Sequence, residues 1–453
     1  MSKQEYKGYW FLPSNPQKKV AGILTYNKGR DAFLELIGCF EESSDETLEK
    51  CGKIYEIIYG ITSDAKEITL FQSMQTNYEN ASNSAFPIIR YDTRLFIIGK
   101  HCSGLEEKCQ YRATILIPAL SNWCYPNAIE EHNDVLNGIP IRKSISYHVQ
   151  LNDEFNTIAK VSINPHTSIV LKRNVIYKSD IQLTQALRQY TYLEIDKTEE
   201  SSIEDLLSDI ILFEQFLSLS TLGVVYNSKI TLYDNKVYEQ LFGHTIYTPI
   251  ELIFLTADRK SHDLMDIQSY DFLFTYQAVK EQYSEIIKKW YNENKDIEQI
   301  RLHLIKSLER KSTYSSVDFL IVIQAVEGFY RRFRNNKWRK EHNLPGKSSS
   351  DLYPILQELI TEFSDIVLLS KIKFDIDIIV DTRIYYSHLM PKTSKPKAVD
   401  GVELYKITCK LRVLLICCIL SLSGFEHSQI NDILNNSNSE TIKNSILFET
   451  EKE

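Results

Sequence analysis

Asp381-Thr382-Arg383-Ile384-Tyr385-Tyr386-Ser387-His388-Leu389-Met390-Pro391 is the segment from which the rest of the chain is read. An arginine and a histidine stand there with four residues between them, beside a pair of tyrosines and a seryl hydroxyl. Pro391 disfavours helical geometry at Met390, which predicts a helix ending at or near His388. A helix C-terminus carries partial negative charge and favours the imidazolium form. Cutting RNA without a metal requires a proton carrier that works near neutral pH and a fixed cation for the charge that grows on the phosphorane. His388 and Arg383 are residues of those two kinds. Five steps of about 100° leave them roughly 140° apart around a straight helix, so a second, two-fold-related copy of the chain is expected to complete the site.

The spacing by itself is generic. Arg94 with His101 and Arg142 with His148 fit a four-to-six-residue gap equally well, and an arginine in a surface ion pair beside a helix-end histidine would look the same. The surroundings therefore decide. Upstream, Ser315-Ser-Val-Asp318 can open a helix whose apolar residues include Leu320, Ile323, Val326, Phe329, Tyr330 and Phe333, with Glu327 among them. That helix runs into Arg331-Arg-Phe-Arg-Asn-Asn-Lys-Trp-Arg-Lys340, which holds six cations, two aromatics and no acid. Cations bind phosphates and aromatic faces stack on unpaired bases, so Arg331, Arg332, Arg334, Lys337, Trp338, Arg339 and Lys340 are candidate RNA contacts. A solvated helix end complementing the helix dipole is the competing reading. Downstream, Pro391-Lys-Thr-Ser-Lys-Pro-Lys397 adds Lys392 and Lys395 in a loop expected to be mobile and able to close over RNA. Helices are expected near Leu352 to Leu369 and Val402 to Leu422, the second apolar almost all round and suited to a bundle core or a dimer interface. The Asn-, Ser- and Glu-rich residues after about 433 read as a frayed tail.

This arrangement resembles the HEPN superfamily, whose signature is an arginine, four to six residues and a histidine on a helical bundle, and within it the ApeA-like branch of anti-phage defence proteins. Val380-Asp-Thr-Arg383-x-Tyr385-Tyr386-Ser387-His388, the Pro-containing loop and Gly401-Val-Glu-Leu-Tyr405-Lys-Ile-Thr-Cys-Lys-Leu-Arg412 carry the resemblance. It implies catalytic roles for Arg383 and His388, an acidic partner at Glu327 and supporting hydrogen bonds from Tyr386 and Ser387. The position after the arginine is commonly polar in that family, and here it is Ile384. The resemblance also implies a metal-independent endoribonuclease acting on tRNA or other cellular RNA, leaving 2',3'-cyclic phosphate and 5'-hydroxyl ends, and working as a homodimer or higher homo-oligomer. A noncatalytic HEPN module that binds RNA or protein is the alternative from another class.

Residues 1 to about 195 are strand-rich. Segments such as Glu67 to Gln72, Arg94 to Ile98, Tyr111 to Ile117, Ile139 to Leu151, Thr157 to Ile163 and Ser168 to Arg173 alternate between polar turns. Ile145, Tyr147, Val149 and Leu151 fall on one face, which predicts an antiparallel sandwich or a curled sheet over one core. Gly8-Tyr-Trp-Phe-Leu-Pro13, Val20-Ala-Gly-Ile-Leu24, Phe33-Leu-Glu-Leu-Ile-Gly38, Ile58-Tyr-Gly-Ile-Thr62, Ile68-Thr-Leu-Phe71 and Leu95-Phe-Ile-Ile-Gly-Lys-His101 resemble, in order, the opening of an ApeA N-terminal domain. The implied role is a sensor, with a phage component as its trigger. Trp10, Trp123 and the tyrosines could form a ligand surface, but a large β domain needs such residues in its core. Ser201-Ser-Ile-Glu204 reads as a capping box for a helix to about Leu222, and 269 to 310 reads as long charged helices bearing Phe272, Tyr276, Val279, Tyr283 and Ile286.

The expected architecture is α+β and multidomain: a β-rich antiparallel part over 1–265, a helical connector over 266–310 and an all-α HEPN bundle over 311–453. A net charge of -8 argues against a protein that coats nucleic acid nonspecifically, without excluding a local basic surface. The eight cysteines form no paired Cys-x-x-Cys motifs and read as reduced, mostly buried thiols, and His101 with Cys102, Cys109 and Cys124 lacks zinc-site spacing. No metal or nucleotide cofactor is expected, since Walker, Gly-x-Gly-x-x-Gly, His-Glu-x-x-His and Gly-x-Ser-x-Gly patterns are missing. The N-terminus Met-Ser-Lys-Gln-Glu-Tyr-Lys-Gly-Tyr-Trp has no apolar core, and Val413 to Leu420 is too short to span a bilayer, so a cytoplasmic protein away from membranes is expected.

Overall fold

Alternation along the first hundred residues builds a closed element. The structure, a computed structural model, describes residues 3–40, 52–79, 86–109, 111–124, 129–136, 138–147, 156–180, 184–255, 272–292, 294–309 and 315–447. Cys51, Val149, Leu151, the side chains of Ile145 and Tyr147, and the boundary expected near residue 265 lie outside the described residues. Strands β1 (Lys3–Leu12), β2 (Asn15–Asn27), β3 (Asp31–Ile37), β4 (Ile54–Thr62), β5 (Glu67–Glu79) and β6 (Ile88–Thr93) pair antiparallel in the order β5-β4-β1-β2-β3-β6. Pairing of β6 with the second half of β5, Met74 opposite Asp92 to Glu79 opposite Ile88, closes the ring into a barrel. Of the two β arrangements open from the sequence, the curled sheet forms. Its interior takes every second residue of β3, Ala32, Leu34 and Leu36, together with Trp10, Leu24, Ile58, Leu70 and Tyr91. Trp10 is wholly buried against Gly60, where an added Cβ would lie 2.4 Å from the indole, so this strand glycine makes room for the ring.

The first half of β5 also pairs β7 (Leu95–Ile98), and through it the sheet extends to thirteen strands in all. The extension runs β7, β17 (Ile250–Phe254), β14 (Lys229–Asp234), β8 (Tyr111–Leu116), β13 (Thr184–Lys197), β12 (Thr167–Asp180), β11 (Thr157–Asn164). Two separate hairpins are formed by β9 (Ile129–Leu136) with β10 (Ile139–Tyr147) and by β15 (Tyr238–Leu241) with β16 (His244–Tyr247). After the short α1 (Pro118–Trp123), the first long helix is α2 (Ile203–Thr221). Its capping box sits one residue later than expected: Asp205 N–H donates to Ser202 Oγ at 3.0 Å and Ser202 N–H donates to Asp205 Oδ2 at 3.2 Å. Ser201 is instead held in a β-bridge to Cys109, which uses its backbone and moves the helix start along.

The chain divides into two compact units, 1–118 with 149–210 and 226–265, and 119–148 with 211–225 and 266–453. The second unit carries α3 (Tyr276–Val279), α4 (Tyr283–Asn292), α5 (Asn294–Glu309), α6 (Ser316–Phe333), α7 (Asn336–Glu341), α8 (Leu352–Glu362), α9 (Val367–Lys371), α10 (Ile376–His388), α11 (Gly401–Leu422), α12 (His427–Asn436) and α13 (Glu440–Leu447). Three helices replace the long ones expected over 269 to 310, and Phe272, Tyr276, Val279, Tyr283 and Ile286 are all buried. The helix expected from Leu352 to Leu369 breaks after Glu362, where Phe363 and Ile366 turn fully inward. The tail expected after residue 433 is also corrected. Helix α13 packs on α11 with Ile442 and Ser445 buried, and Asn444 Nδ2 donates to Tyr405 Oη at 3.0 Å. A polar composition concealed one buried face.

Helix α11 is the axis of this unit. Leu411 to Leu420 are all buried, and the charge among them, Arg412, donates to Ser307 Oγ at 3.2 Å and Ser307 O at 2.9 Å, with Asp318 Oδ2 at 3.7 Å. Helix α6 starts where the sequence places it: Asp318 N–H donates to the Ser315 hydroxyl at 3.2 Å. Among the described residues no helix is long and apolar enough to cross a membrane.

Candidate functional site

Helix α10 is positioned by few residues. Asp375 caps its start, accepting from Ile378 N–H at 3.1 Å, and only Ile379 and Thr382 on the helix are buried. The Thr382 hydroxyl accepts from Val399 N–H at 3.1 Å, and the Tyr386 ring reaches Phe319 of α6 at 6.5 Å. Residues 379, 382 and 386 share one face by helical spacing, which turns Ser387 and His388 outward. Burial, then the Asp400 and Tyr385 charges, raise the Tyr386 hydroxyl above its ordinary range, so it stays a neutral hydrogen-bonding group.

Glu327 and Arg383 come together. The Glu327 side chain is 14% exposed, and its two carboxylate oxygens are shared between two guanidinium groups: Arg331 Nη2 lies 2.6 Å from Oε1 and Arg383 Nη2 lies 3.5 Å from Oε2. Arg331 is itself tethered, donating to Ser350 O at 2.9 Å. Arg383 also donates a long bond to Ser387 Oγ, 3.5 Å. The carboxylate thus fixes Arg383 from a neighbouring helix while leaving about a third of that side chain to solvent. His388 is the last residue of α10, exposed, with no side-chain hydrogen bond among the described residues. The helix ends there as expected, at a left-handed Leu389 with φ 51° whose N–H donates to Tyr385 O. No hydrogen bond joins Arg383 to His388. Chemically, the segment presents a fixed cation and a free imidazole on one exposed helix end. Ile384 is half-buried and offers no polar group there.

The basic segment divides into two sets. Arg334 is buried, bonds Glu362 through Nε at 2.9 Å and Nη2 at 2.6 Å, and lies over the Phe329 and Trp338 rings at 4.9 and 4.2 Å. Arg339 is buried against Glu358 and the Pro345 carbonyl, and Tyr330 donates to Glu358 at 2.7 Å. Trp338 also stacks on His342, with ring centroids 4.2 Å apart. These three side chains are engaged in the protein's own packing. Arg331, Arg332, Lys337 and Lys340 are exposed.

The loop after His388 is tied down rather than loose. Lys395 pairs with Asp381 at 3.0 Å, Lys397 with Asp377 at 2.8 Å, and Lys392 reaches the Ala398 carbonyl and, at 3.9 Å, Asp400. Sequence reading missed these acidic partners. The available signal was spacing: Asp377 with Asp381 and Glu358 with Glu362 each stand four apart on one helix face, opposite the cations they bind.

Elsewhere, His101 stacks on Tyr59 at 4.4 Å and its Nε2 lies 2.9 Å from Gly60 O. Cys102, Cys109 and Cys124 are buried, and burial pushes the Cys102 thiol up to about 12. Among the described residues no group of three or more His, Cys, Asp or Glu could hold a metal ion. Trp10 and Trp123 are wholly buried, as core residues.

Two family models match. One is "ApeA N-terminal domain 1", over residues 5–290, and the other is "Apea-like HEPN", over residues 320–429, a span that contains Glu327, Arg383 and His388. No curated protein and no solved structure matches the chain. HEPN domains are RNase-like, commonly act on RNA and commonly dimerise, and this pairing of domains is that of an anti-phage HEPN nuclease family. With its β-rich N-terminal part and helical C-terminal part each matched in order, the chain belongs to the ApeA family.

Proposed function

We propose that this protein is an anti-phage endoribonuclease whose site is built on Arg383 and His388. The observation that carries the reading is the Glu327–Arg383 ion pair beside an exposed His388 at the end of the same helix. In the reaction the 2'-hydroxyl attacks the adjacent phosphorus and the bond to the 5'-oxygen breaks, leaving a 2',3'-cyclic phosphate and a 5'-hydroxyl. His388 transfers the proton, Arg383 stabilises the pentacoordinate charge, and Glu327 orients Arg383. Tyr386 and Ser387 supply hydrogen bonds. No metal enters these steps. Residues 1–265 are the sensor for a phage-derived trigger, 266–310 connect, and 311–453 hold the nuclease. tRNA is the proposed substrate, with the exposed Arg331, Arg332, Lys337 and Lys340 as phosphate contacts. Lys392 and Lys395 join them once RNA displaces their acidic partners, while Arg334, Arg339 and Trp338 hold the segment in shape.

Because Arg383 and His388 share no hydrogen bond within one chain, a homodimer that juxtaposes two copies of the motif completes the site. Ile384, apolar where the family is commonly polar, favours a second reading, a noncatalytic HEPN module that binds RNA. The deciding experiment is incubation of tRNA with the full chain in EDTA, beside folded His388→Ala and Arg383→Ala. Cyclic-phosphate ends from the wild type alone support the nuclease reading. Equal cleavage by all three proteins overturns this site, and RNA binding without cleavage, trigger supplied, favours the second reading. Sedimentation only as a monomer at concentrations where RNA is cut would overturn the dimer.

A further inference from the structure

Glu327 does not divide itself evenly between its two cations. Arg331 follows it by four residues on α6, the spacing and order in which a glutamate and a basic residue pair well on a helix. Arg331 Nη2 lies 2.6 Å from Glu327 Oε1, a short charge-assisted bond. The same nitrogen donates to Ser350 O at 2.9 Å, so both of its hydrogens are used. Ser350 is a fixed anchor. On one side of it Ser349 N–H donates to Tyr330 Oη at 3.3 Å, and on the other Asp351 N–H donates to Ser349 Oγ at 3.1 Å just before α8 begins. Arg383, by contrast, reaches Glu327 Oε2 only at 3.5 Å and donates to Ser387 Oγ at the same distance. Both contacts are long for a guanidinium, whose charged bonds prefer about 2.7–2.9 Å.

Charge decides what this asymmetry does. Two guanidinium groups and one carboxylate leave a net positive charge at the place where Arg383 would meet a phosphoryl oxygen. Without Arg331, the Glu327–Arg383 pair that remains is neutral. The Glu327 side chain is mostly buried, and a buried carboxylate that loses one partner closes on the donor still within reach. A guanidinium held in a tight, forked grip has those donors occupied and its charge cancelled. Resting on the nuclease reading above, we infer that Arg331 is a positioning residue of the site: by holding Glu327 beside Ser350 it keeps the carboxylate from closing on Arg383 and leaves that guanidinium for the phosphate. Arg331 acts here through Glu327 and touches no reacting atom. The role is separable from a direct phosphate contact, because it exists only while residue 327 is a carboxylate.

A double-mutant cycle on the full chain tests this: wild type, Arg331→Met, Glu327→Gln and the two together, each checked for folding by thermal unfolding. Methionine keeps an aliphatic stem and removes the charge and the donors. One readout needs no RNA, the rate at which phenylglyoxal modifies Arg383, followed by mass spectrometry of its peptide. Arg331→Met should slow that modification about two- to fivefold, the effect of one partly exposed ion pair, and should change nothing where residue 327 is already glutamine. The second readout is tRNA cleavage. Arg331→Met should lower kcat about 10- to 100-fold, the cost of a misplaced group, with KM within about twofold, and should cause no further loss in the Glu327→Gln background. Modification of Arg383 that is unchanged or faster in Arg331→Met would overturn the inference. So would a cleavage defect that falls on KM, or one of equal size in both backgrounds, the marks of a direct phosphate contact. If the wild type cuts no RNA, the nuclease reading fails, and the modification rates alone decide whether Arg331 holds Glu327 away from Arg383.

Discussion

Helices α10 and α11 are consecutive long helices of the same unit and divide its work between them. Of the 22 residues of α11, fourteen are buried, and its one charge in the apolar run, Arg412, is hydrogen-bonded to Ser307. Of the 13 residues of α10, Ile379 and Thr382 are buried, and the acids, Arg383, Ser387 and His388 face partners or water. The contrast has a physical cause. A helix apolar on every side gains by burying all of it, whereas a helix with a narrow apolar stripe can be held on one side and expose reactive groups on the other. Stability is concentrated in α11 and chemistry in α10.

The largest expected break of this contrast is functional. His388→Ala should reduce RNA cleavage by about 10²- to 10⁴-fold, the usual worth of a positioned proton carrier, while thermal unfolding stays where it was. A large drop in melting temperature instead would make His388 a structural residue. Next comes the converse on α11: Leu415→Ala, at a fully buried position, should cost about 2–5 kcal/mol in denaturant unfolding. A cost below about 1 kcal/mol would show the core there to be far looser than its burial implies. Thiol chemistry sharpens the difference without disturbing either helix much. Burial raises the Cys417 and Cys418 thiols, which lowers the thiolate fraction at any given pH, so alkylation at pH 8 should wait for unfolding. Ser387→Cys on α10 should be alkylated in the folded protein, and equal rates at the two places would erase the distinction. The smallest effect is expected at the helix end. Leu389 holds φ 51° and is 88% exposed, so Leu389→Gly should relieve left-handed strain and stabilise by roughly 1 kcal/mol, read as a rise in melting temperature.

Much of the architecture was legible locally. Two-residue alternation announced the strands, and the Ser315 cap and the Pro391 stop bracketed helices correctly. Errors came where a local signal had two readings. Ser201 and Ser202 both suit a helix cap, and the β-bridge to Cys109 decides between them. The polar tail after 433 reads as disordered until Ile442 and Ser445 are seen beneath α13. The lysine loop reads as mobile until Asp377 and Asp381 are seen to bind it.

By itself, then, the sequence determined which segments are strand or helix and which residue types stand at the end of α10, because period, caps and prolines act within a few residues of chain. Tertiary structure alone decided that β6 closes on β5, that Arg334 and Arg339 turn inward to Glu362 and Glu358, and that Glu327 is shared between Arg331 and Arg383. Those outcomes depend on which distant groups arrive within a few ångströms of one another, and an arginine carries the same charge in the sequence whether a carboxylate 28 residues away or a phosphate will neutralise it.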